Sequence, residues 1–200
     1  MDKFFIGNYY ISDGTKPISK KVRMPIEWLV LLEKEGLSLL LSKDVLDWEL
    51  YAFHEKNSWD ESYIYKYLKD LFQTLFTQEE KNAIVNGELG PLFILSKKEV
   101  ETYLPSTEKR RAVMYFNDIK DDGEVEITIN HHSYWLRHEG ESGCMDVEIV
   151  DALGNFEICD SEADEVGVRV AMWVDTQKAR VITAQKGYNP WQHFWDVCEY

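Results

Sequence analysis

The amino-acid sequence predicts a mixed α+β fold in which hairpins of strands flank three helices in the middle third of the chain. Strand-length apolar segments separated by short turns dominate both ends of the sequence. Helical spacing of apolar residues is confined to residues 58–104. Strands and helices that are segregated in this way are typical of α+β proteins, whereas regular alternation would predict a parallel sheet.

Each predicted element has a local signal. The first strand covers residues 3–11, and residues 26–32 and 37–41 form a hairpin apolar enough to be covered on both faces. A capping pattern at 58–61 begins the first helix, and two capping boxes, Thr77 with Glu80 and Ser96 with Glu99, begin the others. Gly87 and Pro105 are expected to end the second and third helices. Further strands are predicted at 92–95, 112–119, 124–130, 147–150 and 156–158, and residues 178–183 either extend the final strand or begin a return.

The stretch from residue 133 to residue 175 is the most informative part of the chain. It contains two apolar segments, 134–136 and 168–174, which we expect to be neighbouring strands of one sheet. One arginine accompanies each of them, Arg137 and Arg169. A buried guanidinium keeps its charge and needs acceptors. The two arginines either lock the sheet, through loop carbonyls and through Asp146, Glu148 or Asp160, or grip a carboxylate or phosphate of a ligand.

Composition excludes several classes of function. The 200 residues are 44% hydrophobic and 14% aromatic, which predicts a globular domain, and the formal net charge of −14 argues against nucleic-acid and membrane surfaces. The three cysteines have no metal-ligand spacing. The odd count favours a reducing compartment, and the N-terminus has no signal peptide. We therefore expect a cytoplasmic protein, or an extracellular one if a leader was removed, without a cofactor.

Two possible metal sites fail on geometry. His131, His132 and His138 lie near Cys144 in the sequence, but adjacent histidines in a strand point to opposite faces. The acidic run 117–124 lacks the ligand spacing of a calcium-binding loop and is explained by a hairpin turn. The sequence therefore predicts no metal.

The C-terminal residues form a second region. Residues 1–183 are predicted to be a single domain, and residues 184–200 an aromatic extension packed on it. Trp191, Phe194 and Trp195 fall on one face of a helix. That face either completes the core of its own domain or presents an aromatic patch to a partner or a second copy.

A series of segments in the order Ile26–Leu31, Leu39–Ser42, Ser58–Ser62, Leu71–Lys81, Phe93–Val100, Tyr134–Arg137 and Gly167–Trp173 resembles a known family. This is a bacterial family of domains of unknown function with hallmark segments W-L-R-S and G-V-R-P-A-L-W, and the resemblance spans about residues 24–175. The chain departs from it at Lys69, His138 and Val170, where asparagine, serine and proline are expected. Family members are similar to the C-type-lectin-like fold that also builds the formylglycine-generating sulfatase modifiers. The resemblance implies a C-type-lectin-like mixed fold with a twisted antiparallel sheet and two or three helices.

These observations together predict a non-catalytic binding or interaction module with a protein or carbohydrate ligand. The candidate ligand-binding residues are Arg137, Arg169, His138 and Trp135, and the candidate partner surface is Trp191, Phe194 and Trp195. Two rivals stay open: an oxidase-type enzyme related to the sulfatase modifiers, in which Cys144 or Cys159 is reactive, and a scaffold that self-assembles through its tail. The sequence leaves the oligomeric state open.

Overall fold

The computed structural model of the chain describes residues 3–10, 23–47, 59–119, 125–137, 146–163 and 165–185. These residues form a mixed α+β arrangement with mostly antiparallel sheets, which confirms the predicted class. The strands are β1 (Lys3–Tyr10), β2 (Arg23–Lys34), β3 (Leu37–Ser42), β4 (Ile84–Val85), β5 (Ala112–Ile119), β6 (Val125–His132), β7 (Tyr134–Trp135), β8 (Asp146–Val150), β9 (Phe156–Asp160) and β10 (Ala171–Asp175). The helices are α1 (Tyr63–Leu75), α2 (Gln78–Lys81), α3 (Lys97–Tyr103), α4 (Thr107–Arg110) and α5 (Thr176–Gln185), and a 3-10 turn (Trp59–Glu61) precedes α1.

A five-stranded sheet in the order β1-β2-β3-β10-β4 lies at the centre. Its strand β3 is buried almost throughout, as the apolar hairpin sequence predicted. Successive side chains of a strand point to opposite faces. Leu39 and Leu41 accordingly enter one apolar cluster and Leu40 enters another, so the sheet separates two cores.

The first core contains the apolar faces of the two longest helices. Ile64 and Leu68 of α1 and Ala179 and Ile182 of α5 are buried there, together with Trp28. The second core lies beneath α3 and β5, and its buried members include Val100, Leu104, Ala112, Met114 and Tyr134. Both faces of the central sheet are therefore covered.

Two smaller sheets complete the structure. Strands β5 and β6 form a two-stranded ribbon, and β7, β8 and β9 form a three-stranded sheet in that order. The predicted hairpin around residues 151–155 is confirmed. In its turn the main-chain N–H of Leu153 and that of Asn155 each donate to Asp151 Oδ1, at 2.9 and 2.7 Å. Among the described residues β9 pairs only with β8, so it lies at one edge of the three-stranded sheet.

Both predicted capping boxes are present. Thr77 and Glu80 cap α2 reciprocally, and Ser96 and Glu99 cap α3. The carboxylate of Glu80 is buried, and its Oε1 also accepts a hydrogen bond of 2.7 Å from the main-chain N–H of Gly7 in β1. The capping box thus joins α2 to the central sheet.

Several predicted boundaries are wrong. The cap of α1 is Ser62, because the residues before it form a 3-10 turn, and α2 ends at Lys81, well before Gly87. Residues 92–95 contain one isolated bridge, from Phe93 to Ala171, instead of a strand. Residues 178–183 belong to α5. The carboxylate of Asp175 accepts the N–H of Lys178 at 3.0 Å and begins that helix, whose β-branched residues resemble a strand in sequence.

The two arginine-bearing segments do not share a sheet, contrary to our expectation. β7 pairs with β8, whereas β10 pairs with β3 and β4. They still meet where they begin, because Trp135 N donates to Gly167 O and Gly167 N donates to Ser133 O, both at 3.0 Å. The residues after Gly167 then pair with Asp47 and Ser42, which leads the chain into the central sheet.

Candidate functional site

Arg169 is buried, with 2% of its surface exposed, and its guanidinium is used inside the protein. Its Nε donates to the carbonyl of Ser42 at 3.0 Å, Nη1 to the carbonyl of Arg110 at 3.0 Å, and Nη2 to the carbonyl of Lys43 at 3.2 Å. Nη1 also donates to the hydroxyl of Tyr134, and the guanidinium lies 5.1 Å from the centre of that ring. These contacts support the structural interpretation of Arg169 and leave no exposed surface for a ligand.

Arg137 has a comparable position beside α3. Its Nη2 donates to Oε2 of Glu99 at 2.8 Å, and its Nε donates to the carbonyl of Ile94 at 3.3 Å. The same Oε2 accepts the main-chain N–H of Ser96 in the capping box at 2.7 Å. The side chain of Arg137 is only 10% exposed. It therefore stabilises the first turn of α3.

The other predicted site residues do not form a described site around these arginines. Trp135 is fully buried in the first core and has no surface that a ligand could contact. His138, Trp191, Phe194 and Trp195 lie outside the described residues. Of the predicted ligand-binding set, the described members Arg137, Arg169 and Trp135 are therefore buried or nearly so.

Neither a reactive cysteine nor a metal site is supported by the part of the chain that the structure describes. Burial raises the pKa of the Cys159 thiol, and the neighbouring Asp160 and Glu157 add to that effect, whereas a reactive thiol needs a lowered pKa. Cys144 and Cys198 lie outside the described residues. Among the described residues, no group of three or more histidine, cysteine, aspartate or glutamate side chains is placed to hold a metal ion.

The helix α4 interlocks with the turn between β8 and β9. Arg110 Nε donates to the carbonyl of Gly154 at 2.7 Å, and Arg111 Nε donates to the carbonyl of Leu153 at 3.0 Å. A Cβ atom added to Gly154 would overlap the carbonyl of Thr107, so the turn approaches the first residue of α4 closely. Two successive carbonyls of one turn thus hold two successive arginines.

Phe156, the first residue of β9, lies between two cationic side chains. The guanidinium carbon of Arg110 is 4.5 Å from the ring centre, and Lys97 Nζ is 5.4 Å from it. Lys97 also forms an ion pair of 2.7 Å with Glu148 on the neighbouring strand β8. A cation over an aromatic face is attracted by the ring quadrupole, so each of these two contacts helps to hold the ring of Phe156.

Ile158 extends this surface to the edge of the sheet. It follows Phe156 by two residues, so both side chains lie on the same face of β9. The side chain of Ile158 is 71% exposed, and Leu153 in the adjacent turn is 61% exposed. Within the described residues β9 pairs only with β8. We call Lys97, Arg110, Leu153, Phe156 and Ile158 the β9 surface.

Sequence reasoning missed the β9 surface. The alternation of Phe156 and Ile158 predicts a half-buried strand but does not indicate which strand edge stays open. One signal was available in the basic run Lys109-Arg110-Arg111, which is unusual in a chain of net charge −14. The contact of this run with the turn at 151–155 belongs to the fold, so the run by itself could not indicate the β9 surface.

Comparison with known proteins identifies a family without a function. A family model described as a domain of unknown function, DUF6273, matches residues 35–176. Neither the curated proteins nor the solved structures contain a match to this chain. The matched range includes both arginine-bearing segments and the whole β9 surface. None of the described helices has the length and apolar character needed to span a membrane.

Proposed function

The chain belongs to the DUF6273 family of domains of unknown function, and we propose that it is a non-catalytic interaction module that binds an extended segment of another protein along β9. The observation that carries the proposal is the exposure of Ile158, 71%, on a strand that is an edge strand among the described residues. An edge strand presents N–H and C=O groups that can pair with a further strand. A bound segment would thereby extend the three-stranded sheet, a common mode of peptide recognition.

The side chains around β9 also favour binding of a specific ligand at this edge. Proteins usually protect an edge strand with charges, bulges or a covering loop. Here β9 offers the exposed isoleucine Ile158 beside the half-buried ring of Phe156, which packs against the second core. Aromatic and arginine side chains are enriched in protein interfaces. The cations over Phe156 fix the ring in place, which lowers the entropy lost on binding.

The buried arginines have a supporting role in this proposal. Arg169 and Tyr134 both donate to the carbonyl of Arg110, at 3.0 and 2.8 Å, and thereby hold the end of α4. Arg137 holds Glu99 at the start of α3, the helix that carries Lys97. The two arginine-bearing segments thus help to position the two cations beside the ring of Phe156.

The resemblance to the C-type-lectin-like fold and to its bacterial relatives is also part of the proposal. We propose that the fold is C-type-lectin-like and that the segments at 134–137 and 167–173 are the hallmarks of its bacterial relatives. The mixed α+β class and the antiparallel sheets support this assignment. The two rivals, a cysteine-dependent oxidase and a self-assembling scaffold, have weaker support. The raised pKa of Cys159 disfavours that thiol as the reactive cysteine of the first rival, and repulsion between chains of net charge −14 disfavours the second.

Selection from a displayed library of random peptides tests the proposed function. We expect the full chain to enrich peptides that lose binding to Ile158→Asp, because a charge at this position disrupts an apolar contact at the open edge. Ile129→Asp is the matched control, since Ile129 is also an exposed isoleucine, 55%, on a strand of the two-stranded ribbon. Peptides that bind both variants equally well, or no enrichment at all, would overturn the proposal.

A further inference from the structure

We infer that the segment bound along β9 is basic, with one lysine or arginine facing Glu157, another facing Asp160, and an apolar residue against Ile158. The inference rests on the proposed function, because it specifies the chemistry of the segment that would extend the sheet. Two features carry it, namely the alternation of the side chains of β9 and the distribution of charge along the strand.

The side chains of β9 alternate between the two faces of its sheet. Phe156, Ile158 and Asp160 lie on one face, and Glu157 and Cys159 lie on the other. Cys159 packs partly against the first core, whereas Glu157, Ile158 and Asp160 are exposed. A strand paired beside β9 would therefore meet two carboxylates and one aliphatic side chain at accessible positions.

The second half of β9 and the residues after it are acidic. Glu157, Asp160, Glu162 and Glu165 are all exposed. Among the described residues, no lysine, arginine or histidine forms an ion pair with any of these four carboxylates. Oδ1 of Asp160 accepts the main-chain N–H of Glu162 at 2.9 Å, which holds the Asp160 carboxylate at the end of the strand. A cation on the ligand would give these carboxylates the partner that the described part of the chain does not supply.

The pKa of the Cys159 thiol agrees with a negative charge at this edge. Burial raises that pKa, a main-chain hydrogen bond at Asp160 opposes the rise, and the charges of Asp160 and Glu157 add to it. Nearby negative charges have this effect because they disfavour the thiolate. The two carboxylates therefore act together on the same short stretch of the strand.

The start of β9 has a different charge environment. There Lys97 forms its ion pair with Glu148, and the guanidinium of Arg110 lies beside the ring of Phe156. Charges of both signs thus occur at this end, and they give no preference for a charged ligand residue opposite Phe156. The preference for basic ligand residues is confined to the second half of the strand.

The alternation converts these charges into a sequence pattern for the ligand. The residue opposite Ile158 is apolar, and the residues opposite Glu157 and Asp160 are basic, because opposite charges at cross-strand positions stabilise a sheet. A segment that runs parallel to β9 would read basic, apolar, any, basic. A segment that runs antiparallel would read basic, any, apolar, basic.

The same charges favour a different protein over a second copy of this chain. β9 contains no lysine or arginine, so a second β9 cannot supply the pattern. The net charge of −14 repels another copy, whereas it attracts a basic segment during encounter. We therefore assign the edge to a basic, partly apolar segment of another protein.

Two displayed peptide libraries test this assignment against the full chain. One library permits lysine and arginine but no aspartate or glutamate, and the other has glutamine in place of lysine and arginine. We expect enrichment from the basic library only, with one of the two patterns in the enriched peptides. Their affinity should fall about threefold to thirtyfold in the double variant Glu157→Gln, Asp160→Asn, which removes both charges and keeps an acceptor oxygen for the N–H of Glu162.

The double variant Asp70→Asn, Glu79→Gln is the matched control, because it changes the net charge equally at exposed positions of α1 and α2. It should alter the affinity by less than about twofold at about 0.15 M salt, where distant exposed charges are screened. Equal weakening in the two double variants would mean that the overall charge attracts the peptide, which would overturn the pairing inferred at β9.

Charge reversal distinguishes a lost contact from a loss of structure. Glu157→Lys should bind the selected peptide more weakly than the wild type does. It should regain affinity when the basic peptide residue next to the apolar one is changed to glutamate, because the pair is then restored with opposite signs. Absence of this rescue would overturn the assignment of that residue to Glu157.

The outcomes separate the inference from the proposed function. Equally tight binders from the neutral library that are weakened by Ile158→Ser would overturn the basic ligand and leave β9 as the binding edge. Failure of both libraries would overturn both proposals. A dimer of the full chain that Ile158→Ser dissociates would assign the edge to a second copy and would likewise overturn the inference.

Discussion

The guanidinium of Arg169 donates a hydrogen bond of 3.0 Å to the carbonyl of Arg110, so a buried arginine holds the main chain of a surface arginine. The hydroxyl of Tyr134 donates to the same carbonyl at 2.8 Å. Arg169 thereby ties the end of α4 to the loop after β3, where it also binds the carbonyls of Ser42 and Lys43. One side chain connects the central sheet with the β9 surface.

Replacing Arg169 with methionine should destabilise the fold strongly. Methionine fills much of the same volume but leaves buried carbonyls without donors, and we expect a loss of about 2 to 4 kcal/mol in the free energy of unfolding. Arg180→Met is the control, because Arg180 pairs with Glu33 at an exposed site, with 54% and 45% of the side chains accessible. This variant should lose less than about 0.5 kcal/mol in the free energy of unfolding. Similar losses in urea titrations of the two variants would contradict the account.

Alanine substitutions at two glycines distinguish the cost of a left-handed backbone from the cost of steric overlap. Gly7 and Gly36 both have a left-handed backbone, with φ of +74° and +80°. A Cβ on Gly7 would lie 2.6 Å from the ring of Phe76, whereas a Cβ on Gly36 meets nothing within 4 Å. We expect Gly36→Ala to cost about 1 kcal/mol. Gly7→Ala should cost about 1 to 3 kcal/mol more, because the ring must move. Thermal unfolding checks this difference, and equal costs would refute the close packing of Phe76 on β1.

Asp44 should make stability depend on pH. Burial raises its pKa from 3.8 to about 6, with a small addition from Glu27 and opposition from Lys43 and Arg169. The folded state therefore binds more protons than the unfolded state between those values, and this contribution to stability falls as the pH rises from about 4 to about 6. Asp44→Asn removes the cost of the buried charge and should stabilise the protein by roughly 1 to 3 kcal/mol at pH 7.5.

At about pH 3, below both pKa values, the same variant should differ little from the wild type, because Asp44 is largely protonated in both the folded and the unfolded state. Asp60→Asn, at an exposed position, is the control for the change from aspartate to asparagine itself. Denaturant titrations across this pH range measure both. A variant destabilised equally at every pH would mean that Asp44 contributes through its contacts and not through its charge.

Local chemistry explains which parts of the fold were predictable. Thr77 with Glu80 and Ser96 with Glu99 form complete signals within four residues, and both capping boxes are present. The turn at 151–155 is likewise determined by its own side chains. Pairing between distant strands has no such local signal, so the sequence could not tell that β7 and β10 belong to different sheets.

The candidate site was harder to predict for the same reason. The sequence correctly marked Arg137 and Arg169 as residues that need acceptors, but it could not identify Glu99 and the carbonyl of Arg110 as those acceptors. The exposure of Ile158 depends on the absence of a strand beside β9 among the described residues. That property belongs to the assembled sheet and not to the strand itself.

Amide hydrogen exchange of β9 in the presence of a selected peptide tests the central claim most directly. If the peptide extends the three-stranded sheet, it should protect the alternate amides of Phe156–Asp160 that point away from β8. Their exchange rates should fall at least about tenfold when the peptide is bound. Amides of β6 should be unaffected and serve as the internal reference. Protection confined to other elements, with exchange in β9 unchanged by a saturating peptide, would contradict strand addition at this edge.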